Sequence, residues 1–235
     1  MSVKEDGNEI PHEGLSASGK QALRRFKIIY VLFRTAIYVL VWGSLVGGLS
    51  VFQKNLQLLI ALGCILLGFL VMRLMSTIVF EQPLEKLSLV LLRLSFFFSF
   101  CFAFYQAGLS ESAAPILGDW SFTLGLSLWA VGIFLWWRAR SDLAPNYYDV
   151  VYVHKQQHVC ARNLYAHLRH PGYCAEWLSW VGGVFMLNRL WPAVTVPIVL
   201  LWVMGYRMWV EEKFLSNDLE GYAAYCHRVK RFKFF

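Results

Sequence analysis

The sequence predicts an all-α, polytopic membrane helix bundle of about six spans, with both termini cytoplasmic. Three observations predict it. Hydrophobic residues make up 57% of the 235-residue chain and charged residues only 16%, against about 25% charged in a soluble domain. Mean hydropathy is +0.47. The apolar residues fall in runs near the roughly 17–25 helical residues that a bilayer crossing takes. Together these exclude a disordered chain, a disulfide-framed mini-protein and an ordinary soluble enzyme.

The runs come in order. Residues 28–49 are apolar except for Arg34, 56–72 carry no charge, 87–108 carry only Arg93, and 120–137 carry none. Residues 173–187 hold a single Glu176, and 191–206 hold no charge. The last two runs are short. Between them Asn188, Arg189 and Pro192 supply polar and breaker residues, which predicts a tight helical hairpin. The organisation follows: a flexible cytoplasmic arm over 1–26, a four-span scaffold over 27–137, and a region over 138–235 in which any chemistry resides.

Charge orients the bundle. Of the 22 lysines and arginines, all but Arg34, Lys54 and Arg189 fall on one side of this topology. The positive-inside rule makes that side cytoplasmic and gives both termini to it. The net charge of +7 is then a topology signal, and no nucleic-acid partner is expected. Arg34 and Arg93 lie about two turns inside their spans, where snorkelling explains them. The start of the chain is polar up to Lys27 and does not read as a cleaved signal. Its last residues, Arg231-Phe232-Lys233-Phe234-Phe235, are not a prenylation box. Five cysteines (Cys64, Cys101, Cys160, Cys174, Cys226) include no C-x-x-C pair, and no disulfide is expected.

Polar residues concentrate at 138–169 and again after Arg207. A short hairpin brings the residues that enter it, Arg169, His170, Pro171 and Tyr173, near those that leave it, Arg207, Glu211 and Glu212. Proline suits a first helical turn, so a helix begins at Pro171, and His170 is extended or a cap. The free N–H groups there, with Arg169 alongside, make an anion site, or else an interfacial helix start with a snorkelling arginine. Arg207 and Glu211 share a helix face at i, i+4, and Glu212 points about 100° away. Two adjacent carboxylates at a membrane surface suit a cationic ligand or a proton, or form a solvated helix end. Glu176 lies one turn inside its span, where a charge costs roughly 2.5–3.5 kcal/mol. It faces a polar cavity or a partner, with Arg207 as the candidate, or else it is protonated or snorkels. His154 and His158 are spaced i, i+4, with His167 and His170 following, but nothing completes a zinc pattern and no metal is expected. No G-x-G-x-x-G and no P-loop is present.

These residues resemble those of the isoprenylcysteine carboxyl methyltransferases and their membrane methyltransferase relatives. The family motif H-x-L-V-T-x-G-P-Y-x-x-x-R-H-P-x-Y is followed by a short hairpin, then R-x-x-x-E-E-x-x-L and a Y-x-x-Y pair. The chain runs Gln157-His158-Val159-Cys160-Ala161-Arg162-Asn163-Leu164-Tyr165 and continues to Arg169-His170-Pro171-Gly172-Tyr173. After the hairpin come Arg207, Glu211-Glu212 and Leu215, then Tyr222 and Tyr225. Asn163-Leu164 stands in place of Gly-Pro, Gln157 in place of the motif histidine with His158 next to it, and the hairpin's Asn-Pro is spread over 188–192. The resemblance covers roughly the last 80 residues.

The resemblance implies S-adenosylmethionine as cofactor, in a cytoplasmic pocket closed by the C-terminal segment and beside a lipid-accessible tunnel. It implies cofactor contacts from His158, Tyr165, Arg169, His170, Pro171, Tyr173 and Glu212. Arg207 and Glu211 would be catalytic, with Arg207 holding a substrate carboxylate. Glu176 and Arg207 would line the substrate route. The acceptor would be lipophilic or prenylated, drawn from among membrane lipids, with the carboxylate of an isoprenylcysteine as the family's best-known case. The membrane would be the plasma membrane of a bacterium or the endoplasmic reticulum of a eukaryote. Two other readings stand beside it: an NADPH-dependent sterol-type reductase, which shares a related C-terminal half, and a non-catalytic protein retaining the fold.

Overall fold

The structure is a computed structural model that describes residues 25, 28, 29, 32, 56–75, 86–109, 120–144 and 157–231. The N-terminal arm and the first expected span, apart from those four residues, lie outside the described residues, as does His154. Every regular element among the described residues is helical: α1 (Leu56–Met75), α2 (Leu87–Leu109), α3 (Trp120–Leu143), the 3₁₀ turn η1 (Asn163–Ala166), α4 (Pro171–Met186), α5 (Leu190–Asp218) and α6 (Tyr222–Arg228).

Length sorts these helices. Three are long and apolar enough to cross a membrane: Leu87–Ala107 within α2, all of α3, and α5. The expected second span forms the 20-residue α1. α4 has 16 residues, just short of a full crossing, and it turns back through Asn188 at φ 51°, a left-handed conformation that asparagine tolerates. α5 has 29 residues, about 43 Å at 1.5 Å per residue, so it overshoots a hydrocarbon core of about 30 Å. Exposed tryptophans mark where it does so. Trp120 and Trp191 stand at the starts of α3 and α5, and Trp137 and Trp209 lie near their far ends. Trp191 and Trp209 are separated by about 27 Å along the helix, the spacing of two interfacial aromatic belts. Between the belts the outward residues are Val194, Ile198, Val199, Leu201, Trp202 and Tyr206 on α5, and Leu124, Val131 and Phe134 on α3. They form the face a lipid would meet.

The bundle is held by close backbone contact. α3 runs antiparallel to α4 and packs along it more extensively than any other pair, while α2 packs on α5 and α1 on α4. A Cβ added to Gly182 would sit 2.6 Å from the Gly125 carbonyl oxygen, and one added to Gly132 would sit 2.6 Å from the Ser179 amide nitrogen. Small residues let helix backbones approach in this way, which replaces the hydrophobic drive that lipid removes. Ser121 Oγ also donates to the Phe185 carbonyl, and Trp177 Nε1 donates to the Pro197 carbonyl at 2.9 Å, tying α4 to α5. The core of Ala61, Ile65, Phe104, Val184, Val196 and Leu200 fills the space between α1, α2, α4 and α5.

Gly182→Ala therefore lowers stability by about 1–3 kcal/mol through overpacking against backbone. Gly205→Ala on α5, where an added Cβ meets nothing within 4 Å, is neutral or stabilising by up to about 1 kcal/mol. Thermal unfolding of both variants in one detergent checks the contrast.

Candidate active site

The site lies where α3 and α5 end and α2 and α4 begin. The chain reaches it through an anchor at Asp142, which is buried near the end of α3. The Asp142 carbonyl accepts from Arg162 Nη2 at 3.2 Å and from Cys160 Sγ at 3.4 Å. Its carboxylate accepts from Asn163 Nδ2 at 2.9 Å, with Arg138 one turn earlier at 3.4 Å. Asn163 takes a positive φ of 51° and turns the chain into η1. Tyr165 is buried there, and its carbonyl accepts from the Tyr225 hydroxyl of α6 at 2.7 Å. Burial, with the thiols of Cys160 and Cys226 nearby, pushes the Tyr225 phenol up to about 12. Burial and the Glu211 carboxylate raise Tyr165 further. Both phenols therefore keep their protons at neutral pH.

An ionic cluster follows. Glu212 lies on the buried side of α5, and three groups converge on its carboxylate. His170 Nε2 lies 2.9 Å from Oε1. Arg169 Nη1 donates to Oε2 at 3.2 Å. Arg231 donates from Nε to Oε1 at 3.0 Å and from Nη2 to Oε2 at 2.5 Å. A carboxylate only accepts, so His170 carries its proton on Nε2 in this contact. The Arg231 guanidinium is raised above its ordinary value, chiefly by its hydrogen bond to Glu212. Arg169 also donates from Nε to the Val229 carbonyl at 2.6 Å and from Nη2 to the Cys226 carbonyl at 2.5 Å. Its own amide donates to the Lys230 carbonyl at 3.3 Å. The segment 229–231 is thus strapped across the start of α4 by one arginine and one glutamate.

A second network runs one residue away on α5. Tyr173 OH donates to Glu211 Oε2 at 2.8 Å. Arg207, one turn before Glu211 and 1% exposed, donates from Nε to the Tyr173 oxygen at 3.3 Å and from Nη1 to Ser88 Oγ at 2.6 Å. Apolar residues flank it: Leu92 of α2 with Met204 and Met208 of α5, packed against Phe96, Tyr173 and Trp177. Glu211 and Glu212, adjacent in sequence and about 100° apart around the helix, serve these two different networks.

The expected residues sort accordingly. Arg169, His170 and Glu212 meet in the ionic cluster, and Tyr173, Arg207 and Glu211 meet in the buried network. α4 begins at Pro171, with His170 in the N-cap place at φ −127°. Tyr165 is buried beside Tyr225, and Glu176 is half-buried one turn along α4 from Tyr173. His158 is exposed and joins neither cluster by a hydrogen bond. Among the described residues no group of three or more His, Cys, Asp and Glu gathers in a metal-binding arrangement. Three participants escape sequence reading. Ser88 is one serine in an apolar run. Arg231 counts there only as a topology charge. Asp142 acts partly through its backbone carbonyl, which no side-chain pattern encodes.

No curated protein matches the chain. Residues 120–220 match the family model described as phospholipid methyltransferase. This is a family of the same membrane methyltransferase superfamily as the isoprenylcysteine enzymes that the motifs resemble. The matched stretch runs from the first residue of α3 to just past α5, so it holds both carboxylates, the hairpin and the Asp142 anchor. Over residues 120–220 the chain is thus similar to the phospholipid methyltransferase family.

Proposed function

We propose that the protein transfers a methyl group from S-adenosylmethionine to a lipophilic acceptor at the cytoplasmic face of its membrane. The observation that carries this reading is the pair Glu211 and Glu212. One stands in a hydrogen-bonded ionic cluster under the C-terminal strap, and the other stands at the end of a buried polar chain flanked by apolar residues.

The residues present fit the cofactor. Its carboxylate suits the free N–H groups at the start of α4 and the two guanidinium N–H groups that Arg169 has left after three bonds. Aromatic side chains at Tyr165, His170 and Tyr173 offer stacking or hydrogen bonding. Glu212 holds the strap closed through Arg169 and Arg231, which keeps water from the site. The cofactor supplies an electrophilic methyl on a sulfonium. This chain's task is then to position the acceptor in line and take up its proton.

The exposure of the second network favours one acceptor chemistry. Arg207 is buried and already donates to Ser88 and Tyr173. Glu211 is half-buried, and its Oε2 is held by Tyr173, which leaves Oε1 facing a further donor. The end that a substrate reaches is a carboxylate. That favours a protonated lipid amine, such as a phospholipid headgroup, over the carboxylate of an isoprenylcysteine. The ammonium first gives a proton to Glu211, and the lone pair so freed on nitrogen then forms the bond to the methyl carbon as the carbon–sulfur bond breaks and S-adenosylhomocysteine leaves. Glu176, one turn deeper on α4, lines the apolar approach.

Three measurements test the proposal. The purified protein gains thermal stability with S-adenosylmethionine or S-adenosylhomocysteine and none with NADPH. The reverse pattern would make it a reductase, and no shift with either favours a non-catalytic protein. Glu212→Gln weakens the cofactor-induced shift and also loosens the strap, read as faster hydrogen exchange over 229–231. With labelled cofactor, vesicles containing phosphatidylethanolamine take up label faster than a farnesylcysteine analogue does, and Glu211→Gln lowers that rate by about 10²–10⁴-fold. Preferential labelling of the farnesylcysteine analogue restores the carboxylate acceptor.

A further inference from the structure

We infer that Ser88 is a positioning residue of this site, contributed by a helix outside the matched methyltransferase stretch. The inference rests on the methyltransferase reading above. Ser88 is the second residue of α2 and is 0% exposed. Its Oγ accepts from Arg207 Nη1 at 2.6 Å, a charge-assisted hydrogen bond because the donor is a guanidinium.

The direction of the bonds carries the argument. A guanidinium only donates. Arg207 therefore uses Nη1 on Ser88 and Nε on the Tyr173 oxygen. With Arg207 occupying an acceptor position of that phenol, the Tyr173 proton is committed to Glu211, 2.8 Å away. Ser88 fixes the guanidinium plane, the plane fixes the phenol, and the phenol fixes one oxygen of Glu211. The other oxygen is thereby aimed. Ser88 reaches the substrate only through this relay.

A purely structural account gives Ser88 one task, to satisfy a buried N–H. The apolar contacts of Leu92 with Met204 and Met208 already dock α2 on α5 at this level, so the helix pair does not need Ser88 to meet. The two accounts separate in kinetics. Removing a structural acceptor lowers stability without regard to Tyr173. Removing a positioning residue lowers turnover only while Tyr173 is there to transmit it.

The experiment uses the full chain in phosphatidylethanolamine vesicles with labelled S-adenosylmethionine. Ser88→Ala lowers kcat about tenfold, while the thermal shift induced by S-adenosylhomocysteine stays within about twofold in ligand concentration. Ser88→Thr, which returns the hydroxyl, recovers turnover to within about threefold. In a Tyr173→Phe background, Ser88→Ala costs less than about twofold more, because the relay is already cut. A Ser88→Ala protein with unchanged kcat, or one with the same tenfold loss in the Tyr173→Phe background, overturns the inference. If Ser88→Ala fails to fold, Ser88→Cys keeps the volume with a poor acceptor and is read the same way. Wild-type protein that neither binds the cofactor nor transfers methyl overturns the underlying reading, and the role of Ser88 falls with it.

Discussion

The register of the last helical hairpin governs everything at the site end of the bundle. The turn at Asn188 joins a helix of 16 residues to one of 29. Counted from Asn188, Tyr173 lies 15 residues and Arg207 19 residues away, about 22.5 Å and 28.5 Å along their helices. The difference is about one helical turn, which the long guanidinium side chain spans to reach the phenol. The surplus length of α5 then carries Glu211 and Glu212 past Trp209, out of the apolar layer and over the buried start of α4. A one-residue change in either arm would rotate the facing residues by about 100° and separate both networks. The close contact of α3 with α4 protects this register from below, because backbones in contact at Gly125 and Gly182 leave no room for sliding.

From that register follows the division of labour between two neighbouring glutamates. Consecutive helical positions cannot face the same partner, so a Glu-Glu pair addresses two environments at once. Glu212 turns toward the strap and binds three cationic or donor groups, which satisfies both of its oxygens. Glu211, half-buried, turns toward Tyr173 and receives one phenol. The saturated carboxylate suits a structural clasp, and the one with an oxygen to spare suits chemistry. The α6 helix and the strap depend on the first. Arg169 holds the carbonyls of Cys226 and Val229 only as firmly as Glu212 fixes its guanidinium.

Much of this architecture was legible in the residues, for identifiable reasons. Proline at 171 after histidine marks a helix start, Asn188 and Pro192 mark the turn, and Arg207 to Glu211 is a helix-face spacing. These are local rules, and the helices obey them. The meeting of Arg169, His170 and Glu212 was also readable, because a short hairpin leaves its ends no alternative. Other features depend on long-range partners that leave no local trace. Ser88 pairs with a residue 119 positions away, and nothing in an apolar run distinguishes a serine that faces an arginine from one that faces its own helix. Arg169 donates to the Glu212 carboxylate and also to two backbone carbonyls of the returning chain, and those carbonyls carry no sequence signature.

The cost of the buried network bears on whether the site is used. Arg207 is almost wholly removed from solvent, and desolvating a guanidinium costs several kcal/mol that its hydrogen bonds offset only in part. A helix pair that needed only to pack would do as well or better with an apolar residue there, given that Leu92, Met204 and Met208 already meet across the same interface. Retained buried polarity is therefore poorly explained by stability. Under the proposed methyl transfer it holds one carboxylate oxygen in a fixed direction, in a low dielectric where a positioned charge acts strongly. The substituted Gly-Pro and spread hairpin residues lie in the loop and the turn, away from this relay. The departures from the family pattern at 163–164 and 188–192 thus leave the relay of Ser88, Arg207, Tyr173 and Glu211 intact.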